Sequence, residues 1–172
     1  MILFNLIHPG VTATAGVTLE RQAVRAVIID GDHLLLLYTR RYDDYSFPGG
    51  GLDAGESHEQ GLAREVQEET GAMQLYIGNY LGYGDEFRPS PSPSHDVLFM
   101  RSHFYLCRAA RALGAATPES YELSNGMVPR WVRIADAIAH NESVMLCKPV
   151  NMGMSIQRET LMLKYIAQIT AA

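Results

Sequence analysis

Residues Gly50 to Ala72 read GGLDAGESHEQGLAREVQEETGA. Glu65, Glu68 and Glu69 stand at i, i+3 and i+4 in this stretch, so a helix here crowds three carboxylates onto one face, within side-chain reach of one another. Like charges at that spacing disfavour an isolated helix by roughly a few tenths of a kcal/mol per pair. A cation between them removes the repulsion, and oxygen-only ligands suit a hard divalent ion such as Mg2+ or Mn2+. Taken alone, an acidic helix in which Arg64 and Glu68 pair at i,i+4 reads as an ordinary solvated face. Its surroundings set this one apart. Phe47-Pro48-Gly49-Gly50-Gly51 precedes it, a glycine run that can expose backbone carbonyls and amides to a ligand. Ser57 followed by Gln60 is a capping-box pattern that fixes the helix start, Leu62 and Val66 form an apolar anchor on another face, and Gly71 supplies the stop.

Gly50, five residues, Glu56, seven residues, then Arg64-Glu65-Val66-Gln67-Glu68-Glu69-Thr70-Gly71 and Ala72 resembles the complete signature of the Nudix hydrolases. Every charged and glycine position of that signature is filled, and Ala72 stands where larger aliphatics are usual. The motif covers a small part of the chain, and flanking features extend the match to most of it.

The chain has 172 residues, enough for one domain that buries most of its apolar surface. Its net charge of -5 and the absence of a long lysine or arginine run argue against a nucleic-acid polymer as partner. Cys107 and Cys147 are far apart and have no CxxC spacing, which points to buried thiols in a reducing cytoplasm rather than a zinc site or disulfide framework. Ile2 to Ile7 is apolar and Ala13-Thr14-Ala15 mimics a cleavage site, but a positive n-region is missing and His8-Pro9 interrupts the run, so a signal peptide is not expected. No stretch has the length of a membrane-spanning helix.

Residues 1–20 have no clear period and form an N-terminal extension, whether a strand, an arm on a partner subunit or a disordered segment; residues 21–172 form the single domain. Ala23 to Ile29 and Leu34 to Tyr38, separated by Asp30-Gly31-Asp32, read as a hairpin of buried strands. Leu75 to Tyr83 reads as a further strand. Arg88 to Ser94, with its repeated prolines, reads as an exposed connection. Asp96 to Cys107 alternates, with a mixed second face that suits a strand bordering a site or a covering helix. A loop-like span from Ala109 to Gly126 leads to a short strand, Pro129 to Val132, and a short helix, Ile134 to His140. Met162, Tyr165, Ile166 and Ile169 at i, i+3, i+4 and i+7 mark a C-terminal amphipathic helix. Strands interleaved with a few helices predict an α/β/α sandwich with a mixed central sheet, which is also the fold that the Nudix resemblance implies.

The resemblance further implies hydrolysis of a nucleoside diphosphate linked to another moiety, by attack of water on a phosphorus under divalent-metal control, and is compatible with a homodimer. It assigns Glu68 and Glu69 as principal metal ligands, Glu65 as a third ligand or the general base, and the Gly50 carbonyl as a further ligand. Arg64 then orients Glu65, Glu56 organises the loop before the helix, and Gly71 is structural. The base moves between positions within the family, so Glu119, Glu122 and Glu86 are alternative candidates. Arg40 and Arg41 could hold a phosphate, and Tyr42, Tyr45 or Tyr83 could stack on a base, although paired arginines at a strand end are commonly surface charges and such aromatics commonly core or rim. His95 and His103 read as bystanders and Trp131 as core. Phe87 and Arg88 stand where subgroups of the family carry a diagnostic proline or tyrosine, and Thr39-Arg40 with the FPGG is too little of a coenzyme A motif, so no subgroup follows. A Nudix domain used as a non-catalytic nucleotide sensor is the competing reading, and the intact glutamates speak against it.

Overall fold

The computed structural model describes residues 1–11, 14, 16–150 and 152–170; most of the Ala13-Thr14-Ala15 triplet lies outside them. Among the described residues seven strands form one mixed sheet, in the order β1-β5-β6-β2-β3-β4 with β7 paired to β3. Strand β1 (Ile2–Ile7) occupies the edge and runs parallel to β5 (Tyr76–Pro89), so part of the N-terminal extension is a strand of the sheet itself. β5 and β6 (Val97–Arg108) form the long antiparallel pair, and β6 runs parallel to β2 (Thr18–Asp30). Among the described residues there are four helices: α1 (His58–Thr70), α2 (Ser120–Asn125), α3 (Ile134–Cys147) and α4 (Ile156–Thr170).

Strand periodicity sorts the core into two layers. Val27, Leu34, Leu36 and Phe104 face Ile134, Ala137, Met162, Leu163 and Ile166 of α3 and α4. Val24, Ala26, Ile28 and Leu35 face Leu62 and Val66 of α1. The predicted sandwich is therefore the observed one. The covering helix predicted for the mixed face of β6 is α1, whose His58 bonds the Tyr105 hydroxyl at 2.8 Å.

The predicted hairpin exists as β2 and β3 (His33–Thr39), but only Ile29 with Leu34 and Asp30 with His33 are paired. Further along, the strands are held apart by the glycine loop, which takes over the β2 edge: Val24 N–H donates to the Gly50 carbonyl at 2.9 Å, Ala26 N–H to Pro48 at 2.8 Å and Leu52 N–H to Gln22 at 3.0 Å. β3 turns instead to β4 (Asp44–Ser46) and to β7 (Met127–Arg133).

Several expectations need correction. The strand predicted to end at Tyr83 continues to Pro89, because β5 pairs β6 as far as Pro89 with Val97 and no β1 residue lies opposite beyond Phe87, where a proline lacks no needed donor. The loop-like span before β7 contains α2, closed by Gly126 in the left-handed conformation. α3 does not stop at His140: Asn141, a poor interior helix residue, is turned into the core, where its amide accepts from Tyr45 N–H and donates to Tyr45 C=O, both at 2.9 Å. Cys107 is buried, and burial pushes its thiol up to about 12, but Cys147 is exposed at the end of α3. In α4 the buried stripe is Ile156, Met162, Leu163 and Ile166, and Ile169 is 43% exposed.

Two outcomes follow from this packing. Ile166→Ala should cost about 2–5 kcal/mol in chemical denaturation, whereas Ile169→Ala should change stability by less than about 0.5 kcal/mol. Asp44, buried in β4 under α4, has its carboxyl pushed from 3.8 up to about 7, first by burial and then by Glu159 and Asp43. The folded chain holds a proton there that the unfolded chain has already released, so this contribution is full below about pH 4 and is lost as pH rises through 7. Asp44→Asn should flatten the decline in stability across that window, and an undiminished slope in the variant would assign the decline to another group.

Candidate active site

Helix α1 begins as its sequence dictates. Ser57 Oγ accepts from Gln60 N–H at 3.2 Å and the Gln60 side chain accepts from Ser57 N–H at 3.0 Å, completing the box. Gly71, at φ 67°, closes the helix by donating to Gln67 C=O at 2.9 Å. The two caps fix where the helix begins and ends.

Arg64 is the hub of the exposed side. It binds Glu56 through Nε and Nη2, both at 2.9 Å, Glu65 at 2.8 Å, Glu68 at 3.4 Å and the Gly51 carbonyl at 3.2 Å. Glu56 also accepts from Asp53 N–H at 3.0 Å. The Arg64 fork, then that amide, hold the Glu56 carboxyl down at about 2, and the bonds to Glu56 and then Glu65 push the guanidinium up against its burial. One arginine thus ties the loop to the helix and bonds Glu65.

Glu69 faces inward and is 6% exposed, accepting from Gly49 N–H at 2.6 Å. Burial raises its carboxyl well above the usual range against the opposing pull of Arg25 and the Gly49 amide, and burial likewise raises Glu65 against Arg64 and Arg25. Gly49 sits at φ +127°, and a Cβ there would lie 2.1 Å from the Val24 carbonyl oxygen. At Gly50 a Cβ would lie 2.5 Å from the Glu65 carboxyl carbon. Only glycine lets the β2 backbone and the glutamate approach this closely.

Glu65, Glu69 and Gly50 line a cavity of about 290 Å3, together with Arg25, Arg158, Tyr121 and Glu122. It adjoins an open groove of about 760 Å3, with which it shares Arg21, Gln22, Gly51, Glu65, Glu119 and Tyr121. Glu122, 4% exposed, accepts from Glu119 N–H at 2.7 Å and from the Tyr121 hydroxyl at 3.1 Å. Glu119 and Glu122 are thus brought to the cavity by α2. Glu86 is not: it is buried in ion pairs with Arg158 at 2.9 Å and Arg88 at 3.2 Å.

Arg41 stands at the rim, donating to Asn125 at 3.0 Å and lying over the Tyr42 ring at 5.6 Å, both lining residues. Arg40 is exposed, with Gly126 against its stem. Tyr83 lies under Arg101 at 4.1 Å, and neither it nor Tyr45 lines the cavity. Burial, with His58 and Arg101 beside it, depresses His103 to about 4, and His95 bonds to serines of its own loop. Trp131 packs at the edge of the α1 layer and donates to the Arg111 carbonyl at 3.1 Å.

Among the described residues no three His, Cys, Asp or Glu side chains converge as a metal cage. Glu68 is turned to Arg64 and does not line the cavity. The donor chemistry nevertheless fits a hard divalent cation: Glu65 and Glu69, which burial drives toward protonation, line one cavity, and the Gly50 carbonyl, bonded once to Val24 N–H, retains a lone pair. Sequence reasoning missed Arg25, Arg158 and Tyr121. For Arg25 a signal was present, a single charge inside the otherwise apolar run Ala23 to Ile29.

The fold and this arrangement define a class. The NUDIX domain family matches residues 19–146, and the chain belongs to that family. It is 32% identical over 124 residues to diphosphoinositol polyphosphate phosphohydrolase 3-alpha of Homo sapiens, covering 70% of this chain and 65% of that protein. It is 45% identical over 47 residues to the 8-oxo-(d)GTP phosphatase of Mycolicibacterium smegmatis, covering 27% of this chain and 14% of that one. The matched chain thus spans less than two thirds of either relative. A NUDIX hydrolase from Nitrosomonas europaea superposes with a TM-score of 0.55 at 22% identity, covering 75% of this chain and 86% of the other, a likeness of fold.

Gly49→Ala should lower stability by about 2 kcal/mol or more in urea denaturation, through backbone strain and collision with β2. A variant as stable as the parent would show that the loop does not hold this conformation in solution.

Proposed function

We propose that this chain is a Mg2+- or Mn2+-dependent pyrophosphohydrolase that cleaves a nucleoside diphosphate linked to another moiety, of nucleoside triphosphate or ADP-sugar type. The observation that carries the reading is the cavity in which Glu65, Glu69 and Glu122 face two arginines beside a glycine-loop carbonyl. Glu69, Glu65, Glu68 and the Gly50 carbonyl are the ligands in this reading. A bound divalent ion neutralises the diphosphate and lowers the pKa of a coordinated water.

The remaining chemistry belongs to the chain. Arg64 holds Glu65 by a 2.8 Å bond, so the carboxylate meets its ligand preoriented. Glu122 stands as the preferred base of the α2 pair, because it is buried at the cavity and its oxygens retain acceptor capacity beyond the Glu119 amide and the Tyr121 hydroxyl. In that role it takes the proton that the attacking water releases. Glu119, exposed at the mouth, is the alternative, and Glu65 a third. Arg41 at the rim supports a contact to the outer part of the substrate.

Among the described residues no helix is long and apolar enough to cross a membrane. A small-molecule substrate, a cytoplasmic location, no nucleic-acid polymer as partner and a possible homodimer complete the proposal, supported by the acidic charge, the thiols and family analogy.

The test is a mass-spectrometric product screen with Mg2+ over nucleoside triphosphates, ADP-ribose, ADP-sugars, NADH and dinucleoside polyphosphates, run beside Glu69→Gln. The glutamine keeps an acceptor for Gly49 N–H, so the fold should persist while turnover falls more than about 100-fold, beyond the usual loss of an outer-shell partner. Full turnover in the variant removes the metal-ligand assignment. Silence of the parent across the panel with metal bound transfers the reading to a nucleotide sensor.

A further inference from the structure

Two arginines line the same cavity and are treated oppositely by their surroundings. Arg158 is 3% exposed and each of its three nitrogens bonds a carboxylate: Nε and Nη2 bind Glu159, and Nη1 binds Glu86 at 2.9 Å. Its charge is matched by two carboxylates. Arg25 has no carboxylate within ion-pair distance among the described residues. Its acceptors there are the Phe47 and Gly49 carbonyls, both reached from Nη1, and Nε is buried with no partner. A guanidinium carries five N–H donors, so most of this fork is uncommitted.

Placing an unmatched guanidinium in the interior is costly unless a ligand matches it. Burial and then the neighbouring Arg158 charge disfavour the Arg25 cation, and Glu159, Glu69 and Glu65 lie near enough to pull on it electrostatically without bonding it. Gly49 sets the spacing: its N–H is bonded to Glu69 and its carbonyl to Arg25, so the acidic and basic groups flank a single residue of the loop. A planar fork with free donors is suited to a phosphoryl group, which presents several acceptor oxygens at once.

Resting on the diphosphate reading above, we propose that Arg25 is a substrate-binding residue that forms a phosphate subsite at the inner wall of the cavity, receiving the non-bridging oxygens of a diphosphate whose other side meets the Glu65–Glu69 metal site. Arg158, saturated by Glu86 and Glu159, takes no part in that recognition and holds the wall. The substrate accordingly enters with its diphosphate directed inward and its organic group toward the groove bounded by Arg21, Asp53, Glu119 and Tyr121. Apart from Glu56 and Glu65, both tied to Arg64, that groove carries Glu20, Asp53 and Glu119 against Arg21, an acidic rim that favours an uncharged nucleoside or sugar over a further phosphorylated group.

The experiment uses methylenediphosphonate, whose P–C–P bridge water does not cleave, in calorimetric titrations with saturating Mg2+ on the full chain, Arg25→Met and Arg25→Lys, with Mn2+ affinity measured separately by electron paramagnetic resonance. Expected are a loss of at least about tenfold in methylenediphosphonate affinity for Arg25→Met, an intermediate loss for Arg25→Lys, and Mn2+ binding that is unchanged or tighter. In the wild type, the Arg25 Nε–H resonance should shift on addition of the probe, a readout independent of whether the variants fold. Unchanged probe affinity in folded variants, or an unmoved Nε–H resonance while the probe binds, overturns the subsite and leaves Arg25 as a counter-charge to Glu69. If the wild type turns over a diphosphate substrate in the product screen, such a result sinks the subsite alone; failure of the wild type to bind the probe at all sinks the diphosphate reading with it.

Discussion

The backbone from Tyr45 to Gly49 is the constraint on which the rest of this molecule depends. Three alternate N–H groups along it, those of Tyr45, Phe47 and Gly49, are each taken by a buried side chain from a different helix. Asn141 of α3 accepts the first at 2.9 Å, Glu159 of α4 the second at 3.0 Å, and Glu69 of α1 the third at 2.6 Å. An extended segment presents successive N–H groups to opposite sides, so alternate donors share a side and would be left unpaired unless the helices supplied acceptors. The opposite edge of the loop is satisfied by β2, through Val24 and Ala26. One short segment thereby locks both helical layers to the sheet, and the metal-binding carboxylate proposed above is one of the locks.

Charge burial on this scale requires compensation. Beneath the loop, Arg158 joins Glu159 and Glu86, and Glu86 continues to Arg88, a chain of alternating sign in which every member has a partner. Removing one member leaves an uncompensated interior charge, a loss of about 3–5 kcal/mol in comparable pairs, so the network specifies one arrangement of α4 against β5 more than it adds net stability. Arg25 and Glu69 stand at the upper end of that chain, where the alternation opens onto the cavity. Polarity left unpaired by the protein is available there to a ligand.

Local features were legible in the sequence because both partners of each interaction lie a few residues apart. The Ser57–Gln60 box, the Gly71 stop and the Leu62–Val66 anchor fall in this group, and period-2 patterning separated the two faces of β6. The invisible features pair distant residues: Tyr45 with Asn141, Phe47 with Glu159, Glu86 with Arg158. Asn141 is a poor interior helix residue until its tertiary partner is known, and α3 runs through it to Cys147, past the expected end at His140. Ile169 fits the apolar stripe of α4 by periodicity, yet the sheet no longer covers the last turn of that helix. Of the site, the sequence carried the glutamates and α2 acids but not their division of labour, since only the fold turns Glu69 inward and leaves Glu68 with Arg64.

That division follows from helix geometry. Successive residues advance by about 100° around the axis, so Glu65 and Glu69 fall close to one line, with Glu68 displaced to its flank and Arg64 on the far side of Glu68 and Glu65. Rotation of α1 about its axis therefore decides which carboxylates see the cavity. Leu62 and Val66, buried under the sheet, set that rotation coarsely. Arg64 sets it finely, because its bonds to Glu56 and to the Gly51 carbonyl tie the outer face of the helix to the loop while Glu69 ties the inner face to the same loop at Gly49. A helix fixed on both sides to one loop cannot turn without breaking one set of bonds. The site's geometry is thus a property of the loop–helix unit, with the sheet and the other helices serving to keep that unit closed.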